Sequence, residues 1–169
     1  METLTKGTRT IKIFNDEDPT NWDNLGTMIC FHKRYNLGDK HKMSIDDATR
    51  FEQNRKDCII LPIYMYDHSG ITIATKPFSC PWDSGKVGFI YITKEKARKE
   101  YGWKVMTKKR VEQITKYLEG EVETYDTYLR GEVYRFEVYE GDEMTDSCGG
   151  FFGSNHKESG LFENAGWEV

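Results

Sequence analysis

The sequence contains none of the short motifs that mark the common nucleotide-binding and metal-binding folds. It has no C-x-x-C pair, G-x-x-x-x-G-K-[ST], G-x-G-x-x-G or H-E-x-x-H, so P-loop, dinucleotide-binding and zinc-protease classes have no sequence support. It also has no apolar run near the roughly 18 residues that a membrane helix needs. We therefore expect no membrane span, no cofactor and no bound metal.

Cysteine and proline are scarce, with four of each in 169 residues. The cysteines Cys30, Cys58, Cys80 and Cys148 are far apart, and residues 1–12 carry no signal-peptide pattern. This spacing favours free thiols in a cytosolic protein over a disulfide framework. Cys30-Phe31-His32 is the closest approach to a zinc pattern, but a core cysteine with a tethered histidine explains it more simply.

Neither sign of charge dominates. Lys and Arg total 24 against 28 Asp and Glu, which gives a net charge of -4. A nucleic-acid binder usually has a basic excess, and a DNA mimic would need a much larger acidic one. Direct nucleic-acid binding is therefore not expected. The aromatic content of 14% argues against disorder, because disordered chains have too little apolar bulk to offset chain entropy.

The hydrophobic pattern predicts an α+β fold, with about six mostly antiparallel strands packed on one long helix, plus short helices. Alternating or apolar runs predict the strands, and a Ser44 cap predicts a short helix to about residue 54. We expect one domain over 1–153 and a loosely ordered tail over 154–169. The predicted strands cover 10–14, 27–32, 58–66, 71–75, 87–92 and 132–140.

The long amphipathic helix is predicted over 107–130. Its apolar residues recur at helical spacing: Val111, Ile114, Leu118, Val122, Tyr125 and Leu129. Its acidic residues are predicted to form the solvated face: Glu119, Glu121, Glu123 and Asp126. Gly120, inside the helix, suggests a close packing partner.

Two local features constrain the strands. Pro62 cannot donate to a sheet ladder, so its strand should have an edge or a bulge there. Asp67-His68-Ser69-Gly70 predicts a hairpin turn in which Gly70 supplies the positive φ.

Three polar segments carry the groups able to do chemistry, at 22–35, 66–72 and 77–85. The catalytic candidates are His68, Cys80 and Asp83, and the binding candidates are Trp22, Asp23, His32, Arg34, Asp67 and Trp82. Alternation places Cys30, His32 and Arg34 on one side of a strand. Arg34 beside Asp67 or Asp83 would form a charged pocket for an anionic or polar ligand, or for a partner's side chain.

A simpler interpretation is that each segment is a capped turn whose aromatic residue covers the core edge. A Cys80–His68 nucleophile pair would need the two groups near hydrogen-bond distance. They leave the strand at 71–75 from opposite ends, so they can meet only if the loop over 76–86 folds back.

The same segments carry a resemblance. W-D-N-L-G-T-M-I-C-F-H-K-R-Y-N-L-G-D at 22–39, L-P-I-Y-M-Y-D-H-S-G-I-T-I-A-T at 61–75 and P-F-S-C-P-W-D-S-G-K-V-G at 77–88 resemble a family of uncharacterised proteins encoded by phages, prophages and plasmids. The likeness continues through E-V-E-T-Y-D-T-Y-L-R-G at 121–131 and D-S-C-G-G-F-F-G at 146–153. Gly149 departs from it, because an aromatic residue is expected there.

The resemblance implies a context rather than a catalytic mechanism. It implies an accessory protein of a mobile element, acting in the host cytoplasm, where many such proteins neutralise host defences. The leading hypothesis is inhibition of a defence system by binding a host protein, as anti-CRISPR and antirestriction proteins do. The alternative is a small enzyme that acts on a nucleotide or nucleic acid through a His/Cys/Asp/Arg pocket.

Overall fold

A computed structural model describes residues 1–17 and 23–168. The strands are β1 (Glu2–Lys6), β2 (Arg9–Asn15), β3 (Thr27–Cys30), β4 (Cys58–Asp67), β5 (Ile71–Ala74), β6 (Ser84–Thr93), β7 (Val133–Glu140) and β8 (Glu143–Phe152). The helices are α1 (Ile45–Asn54), α2 (Lys94–Glu100), α3 (Lys108–Leu129) and α4 (Leu161–Asn164). The predicted α+β class, the antiparallel pairing and the long helix are confirmed.

The strands form two four-stranded sheets rather than one sheet of about six strands. Their orders are β1-β2-β7-β8 and β3-β6-β4-β5. The chain divides accordingly into a terminal unit (1–23 and 127–169) and a central unit (24–126), where a single domain over 1–153 was predicted.

The terminal unit is built on strands that each bury one face. Ile11 and Ile13 of β2 stand opposite Val138 and Phe136 of β7, and all four side chains are buried. Alternation explains this pattern, since successive side chains of a strand point to opposite faces of the sheet.

Residues of the predicted tail complete this core. Leu161, Ala165 and Trp167 are buried in the same hydrophobic cluster as Ile11 and Phe136. Leu161 and Ala165 lie four positions apart, so one helical turn places both on one face. The segment 154–168 thus differs from the loosely ordered tail that its Gly, Ser and acidic residues predicted.

The presence of glycine at position 149 of β8, where the resemblance predicts an aromatic residue, has a steric explanation. A Cβ atom there would lie 2.5 Å from Asp16 Oδ2, and that oxygen accepts a hydrogen bond from the Gly150 amide at 2.9 Å. An aromatic residue at 149 would therefore have to displace Asp16.

In the central unit, β6 lies between β3 and β4 and has apolar side chains on both faces. Phe89 stacks on Phe51 of α1, with ring centroids 5.6 Å apart. On the other face, Ile90 and Leu118 of α3 both closely approach Gly26. The sheet is thus covered by α1 on one face and by α3 on the other.

α1 begins at the predicted Ser44 cap, and α3 begins at a similar hydroxyl cap on Thr107. Ser44 Oγ accepts the Asp47 amide at 3.1 Å, and Thr107 Oγ1 accepts the Arg110 amide at 3.3 Å, which satisfies one otherwise unpaired donor at each helix N-terminus. On α3, Ile114, Leu118 and Val122 are buried as predicted. Val111 and Leu129 are half-buried.

The local predictions at Pro62 and at the hairpin have different outcomes. β5 pairs with β4 only over Tyr64–Asp67, so Pro62 has β6 on one side only, and the register shifts between Ile63 and Tyr64. In the turn between β4 and β5, however, Ser69 takes the positive φ of 60°, and Gly70 does not.

The prediction of a solvated acidic face on α3 is wrong for two of its members. Glu121 is 8% exposed, and its carboxylate accepts the amides of Leu25 at 2.5 Å and Gly26 at 2.9 Å. Asp126 accepts hydrogen bonds from the Thr72 hydroxyl and the Ile73 amide. Glu121 therefore anchors the loop before β3 to α3, and Asp126 anchors β5 to the same helix.

Glu121 should make stability pH-dependent. Burial raises its pKa above the ordinary 4.5, against the opposing effect of the two amides. The folded protein then holds this proton to a higher pH than the unfolded chain, so the stability from this group falls as pH rises from about 4.5 through the raised pKa. We expect Glu121→Gln to flatten that fall in urea unfolding measured from pH 4.5 to 8.

Glu112→Gln is the matched control, because Glu112 is exposed on the same helix. An unchanged pH slope in Glu121→Gln would show that this carboxylate does not titrate differently in the two states.

Candidate functional site

The strand order of the central sheet brings the three polar segments to one end of it. β3 and β4 flank β6 and run antiparallel to it, with Cys30 opposite Gly88 and Tyr66 opposite Ser84. The ends of β3 and β4 therefore meet the beginning of β6. The loop after β5 folds back to this end, where the Asp67 amide donates to the Asp83 carbonyl at 2.9 Å.

A cleft of about 380 Å³ lies where these segments meet. We call it the Trp82 cleft. Its walls are His32, Arg34, Met65, Asp67, Trp82, Asp83, Ser84, Gly85 and Val87. Five of the nine sequence candidates thus line one cavity, with contributions from all three polar segments.

Arg34 and Asp67 form an ion pair in this cleft. The Asp67 side chain is 21% exposed and that of Arg34 is 67% exposed, so the pair stands at the cleft rim with its acid partly enclosed. The Arg34 guanidinium also lies over the Tyr35 ring at 5.3 Å. A charged pocket with Arg34 beside Asp67 was expected, but β3 ends at Cys30, so Arg34 reaches Asp67 from the irregular segment after the strand and not through the predicted strand alternation of Cys30, His32 and Arg34.

His32 fixes the turn that carries Arg34. Its Nδ1 atom accepts the backbone amides of Arg34 and Tyr35, both at 3.3 Å. An Nδ1 that accepts carries no proton, so the ring proton of neutral His32 is on Nε2. The ring also stacks on Tyr35 with centroids 5.0 Å apart, which holds the imidazole in place.

The three catalytic candidates meet around a carboxylate. Asp83 Oδ2 lies 3.7 Å from the Cys80 sulfur, which donates to it, and 3.5 Å from His68 Nδ1. Within the described residues, no hydrogen bond joins Cys80 to His68. An activated thiol requires the base itself beside the sulfur, with a third group orienting that base, whereas here the acid occupies the central position.

Trp82 is the most exposed aromatic side chain of the cleft, at 91%. It makes no ring contact or hydrogen bond with the described part of the chain. The simpler interpretation, in which the aromatic residue of each polar segment covers the edge of the core, therefore does not explain Trp82.

The remaining candidates lie elsewhere. Asp23 is exposed and belongs to the terminal unit, and Trp22 lies outside the described residues. Cys30 is buried at the end of β3, where burial and then the Asp39 charge raise the pKa of its thiol to about 12. All four cysteines are free thiols. Residues 1–17 and 23–168 contain no group of three His, Cys, Asp or Glu that could hold a metal ion.

A larger cleft, next to the first, was missed by the sequence analysis. It measures about 1050 Å³ and is formed by residues 30–41 together with Ile45. Residues 36–41 lie outside the three polar segments that the sequence singles out. The available signal was that four basic residues fall within ten positions of an otherwise acidic chain: Lys33, Arg34, Lys40 and Lys42.

Comparisons with known proteins found no matching family model, curated protein or solved structure. Among the described helices, none is both long and apolar enough to cross a membrane.

Proposed function

We propose that this protein is an accessory protein of a mobile element that inhibits a host defence system, of the anti-CRISPR or antirestriction type, by binding a host protein in the host cytoplasm. The Trp82 cleft is the proposed contact surface. The proposal needs no cofactor and no metal, and the direct partner is a protein rather than a nucleic acid or a membrane.

The observation that carries the binding proposal is the 91% exposure of Trp82. Tryptophan, tyrosine and arginine dominate the binding energy of protein interfaces, because they bury a large area at little entropic cost. An indole with no partner of its own among the described residues, at the lip of a cleft, has the geometry of such an anchor.

The charged groups around the indole fit the rim of an interface. The Arg34–Asp67 pair and the contact between His68 and Asp83 surround the cleft. Rim charges of this kind govern the rate and specificity of association more than its affinity. The mobile-element context is supported by the resemblance of 22–39, 61–75 and 77–88 to phage and plasmid proteins.

Trp82→Ala should weaken partner binding strongly without affecting the fold. Hot-spot residues cost about 2 kcal/mol or more, which corresponds to roughly thirtyfold in Kd. The experiment is capture of partners from host cells, identification by mass spectrometry, and measurement of Kd with purified components. Thermal unfolding should be unchanged, because the side chain is already solvated.

Tyr117→Ala provides the matched control, since Tyr117 is 47% exposed on α3 and also in the central unit. It should leave Kd unchanged. Binding that is equally sensitive, or equally insensitive, to both substitutions would contradict a role for the Trp82 cleft.

The contact of Cys80 and His68 with Asp83 favours one alternative, a small enzyme that acts on a nucleotide or nucleic acid. The two functions are separable in the same cells. If Cys80→Ala abolishes protection while partner capture persists, the enzyme hypothesis is supported. If Trp82→Ala abolishes both and Cys80→Ala neither, the binding hypothesis is supported.

A further inference from the structure

The larger cleft of the central unit has an unusual charge for this protein. We call it the basic cleft, defined by residues 30–41 and Ile45. Lys33, Arg34 and Lys40 line it, with Asp39 as the only acidic residue in its wall. The whole chain, by contrast, has a net charge of -4. The sign of the charge is thus reversed locally.

Two of these cations are not neutralised by any residue that the structure describes. Arg34 pairs with Asp67, but neither Lys33 nor Lys40 has an acidic partner among the described residues. The carboxylate of Asp39 is itself engaged, since its Oδ2 accepts the Met28 amide at 2.8 Å. Two lysine ammonium groups therefore remain available for an anion.

His41, which lines this cleft, has one ring nitrogen that is buried and unpaired among the described residues. Its Nε2 lies 3.0 Å from the Cys30 carbonyl, and because a carbonyl only accepts, Nε2 is the protonated nitrogen. Nδ1 is buried and has no hydrogen-bond partner among the described residues. Buried polar atoms are normally paired, so His41 Nδ1 is a buried acceptor that no described residue uses.

The size and the apolar part of the wall restrict the ligand further. Ligand sites usually enclose about 300–1000 Å³, with mostly apolar walls and a few polar groups. The basic cleft, at about 1050 Å³, adds Phe31, Tyr35, Leu37 and Ile45 to its lysines. A small inorganic anion would leave most of this space and all of the apolar wall unused.

We propose that the basic cleft binds a phosphate-bearing small molecule of nucleotide size, with the phosphate at Lys33 and Lys40 and the organic part against the apolar wall. Lysine ammonium groups are common phosphate binders and act as point charges. This inference does not depend on the proposed inhibition of a host defence, because neither Lys33 nor Lys40 lines the Trp82 cleft.

The test is calorimetric titration of the full chain with adenosine 5′-monophosphate, adenosine and inorganic phosphate in separate runs. Adenosine 5′-monophosphate should bind more tightly than either fragment, and its binding should weaken with added salt because the lysines are exposed. Binding of adenosine as tight as that of the nucleotide would overturn the role of the phosphate. Equal binding of inorganic phosphate would overturn the role of the apolar wall.

The double variant Lys33→Gln/Lys40→Gln should weaken nucleotide binding by about tenfold or more, since it removes two charge-assisted contacts. Lys108→Gln/Lys109→Gln is the matched control, with the same change of charge at exposed positions of α3. The proposal fails if the nucleotide does not bind at millimolar concentration, or if both double variants lose binding equally. Circular dichroism spectra should show that all forms are folded.

Discussion

Gly88→Ala should destabilise the protein severely, because the new methyl group would meet backbone rather than a movable side chain. A Cβ atom at Gly88 would lie 1.9 Å from the Ile29 carbonyl oxygen and 2.8 Å from Cys30 Cα. Both residues belong to β3, which pairs with β6 at this position. The clash can be relieved only if β3 moves away from β6, at the cost of ladder hydrogen bonds.

We expect Gly88→Ala to cost about 3 kcal/mol or more, at or beyond the upper end of ordinary overpacking. For a chain of this size that lowers Tm by roughly 6–12 °C. Because His32 and Arg34 follow β3 directly, the same variant should lose partner binding at the Trp82 cleft. Thermal and urea unfolding measure the first effect, and Kd with the captured partner measures the second.

Gly85→Ala is the internal control for this prediction. Gly85 lies on the same strand, yet a Cβ atom there meets nothing within 4 Å and its φ is not positive. We expect a change within about 0.5 kcal/mol. If Gly88→Ala were as mild as Gly85→Ala, the close approach of β3 to β6 would be wrong.

The residue types of the Trp82 cleft, and a pocket with Arg34 beside Asp67 or Asp83, could be predicted from the sequence, but not the strand order that brings the three segments together. The hairpin at 67–70 is a local feature that turn residues reveal. The position of β6 between β3 and β4 is a pairing between distant segments, which local patterns do not specify. The return of the loop to Asp83, on which the meeting of His68 and Cys80 with this acid depends, follows from that pairing.

The inner strands β2 and β7 of the terminal sheet were predicted, but its outer strand β8 was missed because it gives no hydrophobic pattern. Residues 143–150 of β8 are all exposed, so no alternation between buried and exposed faces marks them as a strand. The helical pattern near the C-terminus was present in the sequence but covered too few residues to be recognised. Leu161 and Ala165 lie at helical spacing, yet α4 has only four residues, too few for periodicity to stand out.

The helical period and the composition do not predict which polar residues are buried or which glycines are tightly packed, as Glu121 and Gly120 show. Glu121 lies three residues after the buried Leu118, hence on nearly the same face of α3, but its charge suggested solvent. Its burial depends on two backbone amides from a distant loop. Gly120, predicted to have a close partner, has open space around it, whereas Gly26 and Gly88 are among the tightly packed positions. Such contacts arise only when the elements pack.

Leu118→Ala should be among the most destabilising single truncations in α3. Leu118 is 0% exposed, and it packs beside Ile90 of β6 against Gly26, where a Cβ atom would lie only 2.7 Å from the Leu118 Cδ2 atom. Truncation of a buried leucine costs the transfer free energy of the lost atoms plus the energy of the cavity, about 2–5 kcal/mol in total. The helix cannot move in to fill that space, because Ile114 and Val122, one turn away on either side, are also fully buried.

The comparison variant is Tyr117→Ala, one residue away on the same helix and 47% exposed. Tyr117→Ala removes a larger side chain than Leu118→Ala does. If the loss of stability depended only on helix propensity or side-chain size, Tyr117→Ala would therefore lose at least as much stability. Burial predicts the opposite order, with Leu118→Ala lowering the urea midpoint much more than Tyr117→Ala. Both should keep the same m-value, because each leaves the exposed area on unfolding nearly unchanged. Equal midpoints for the two variants would mean that α3 does not pack on the central sheet through its Ile114–Leu118–Val122 face.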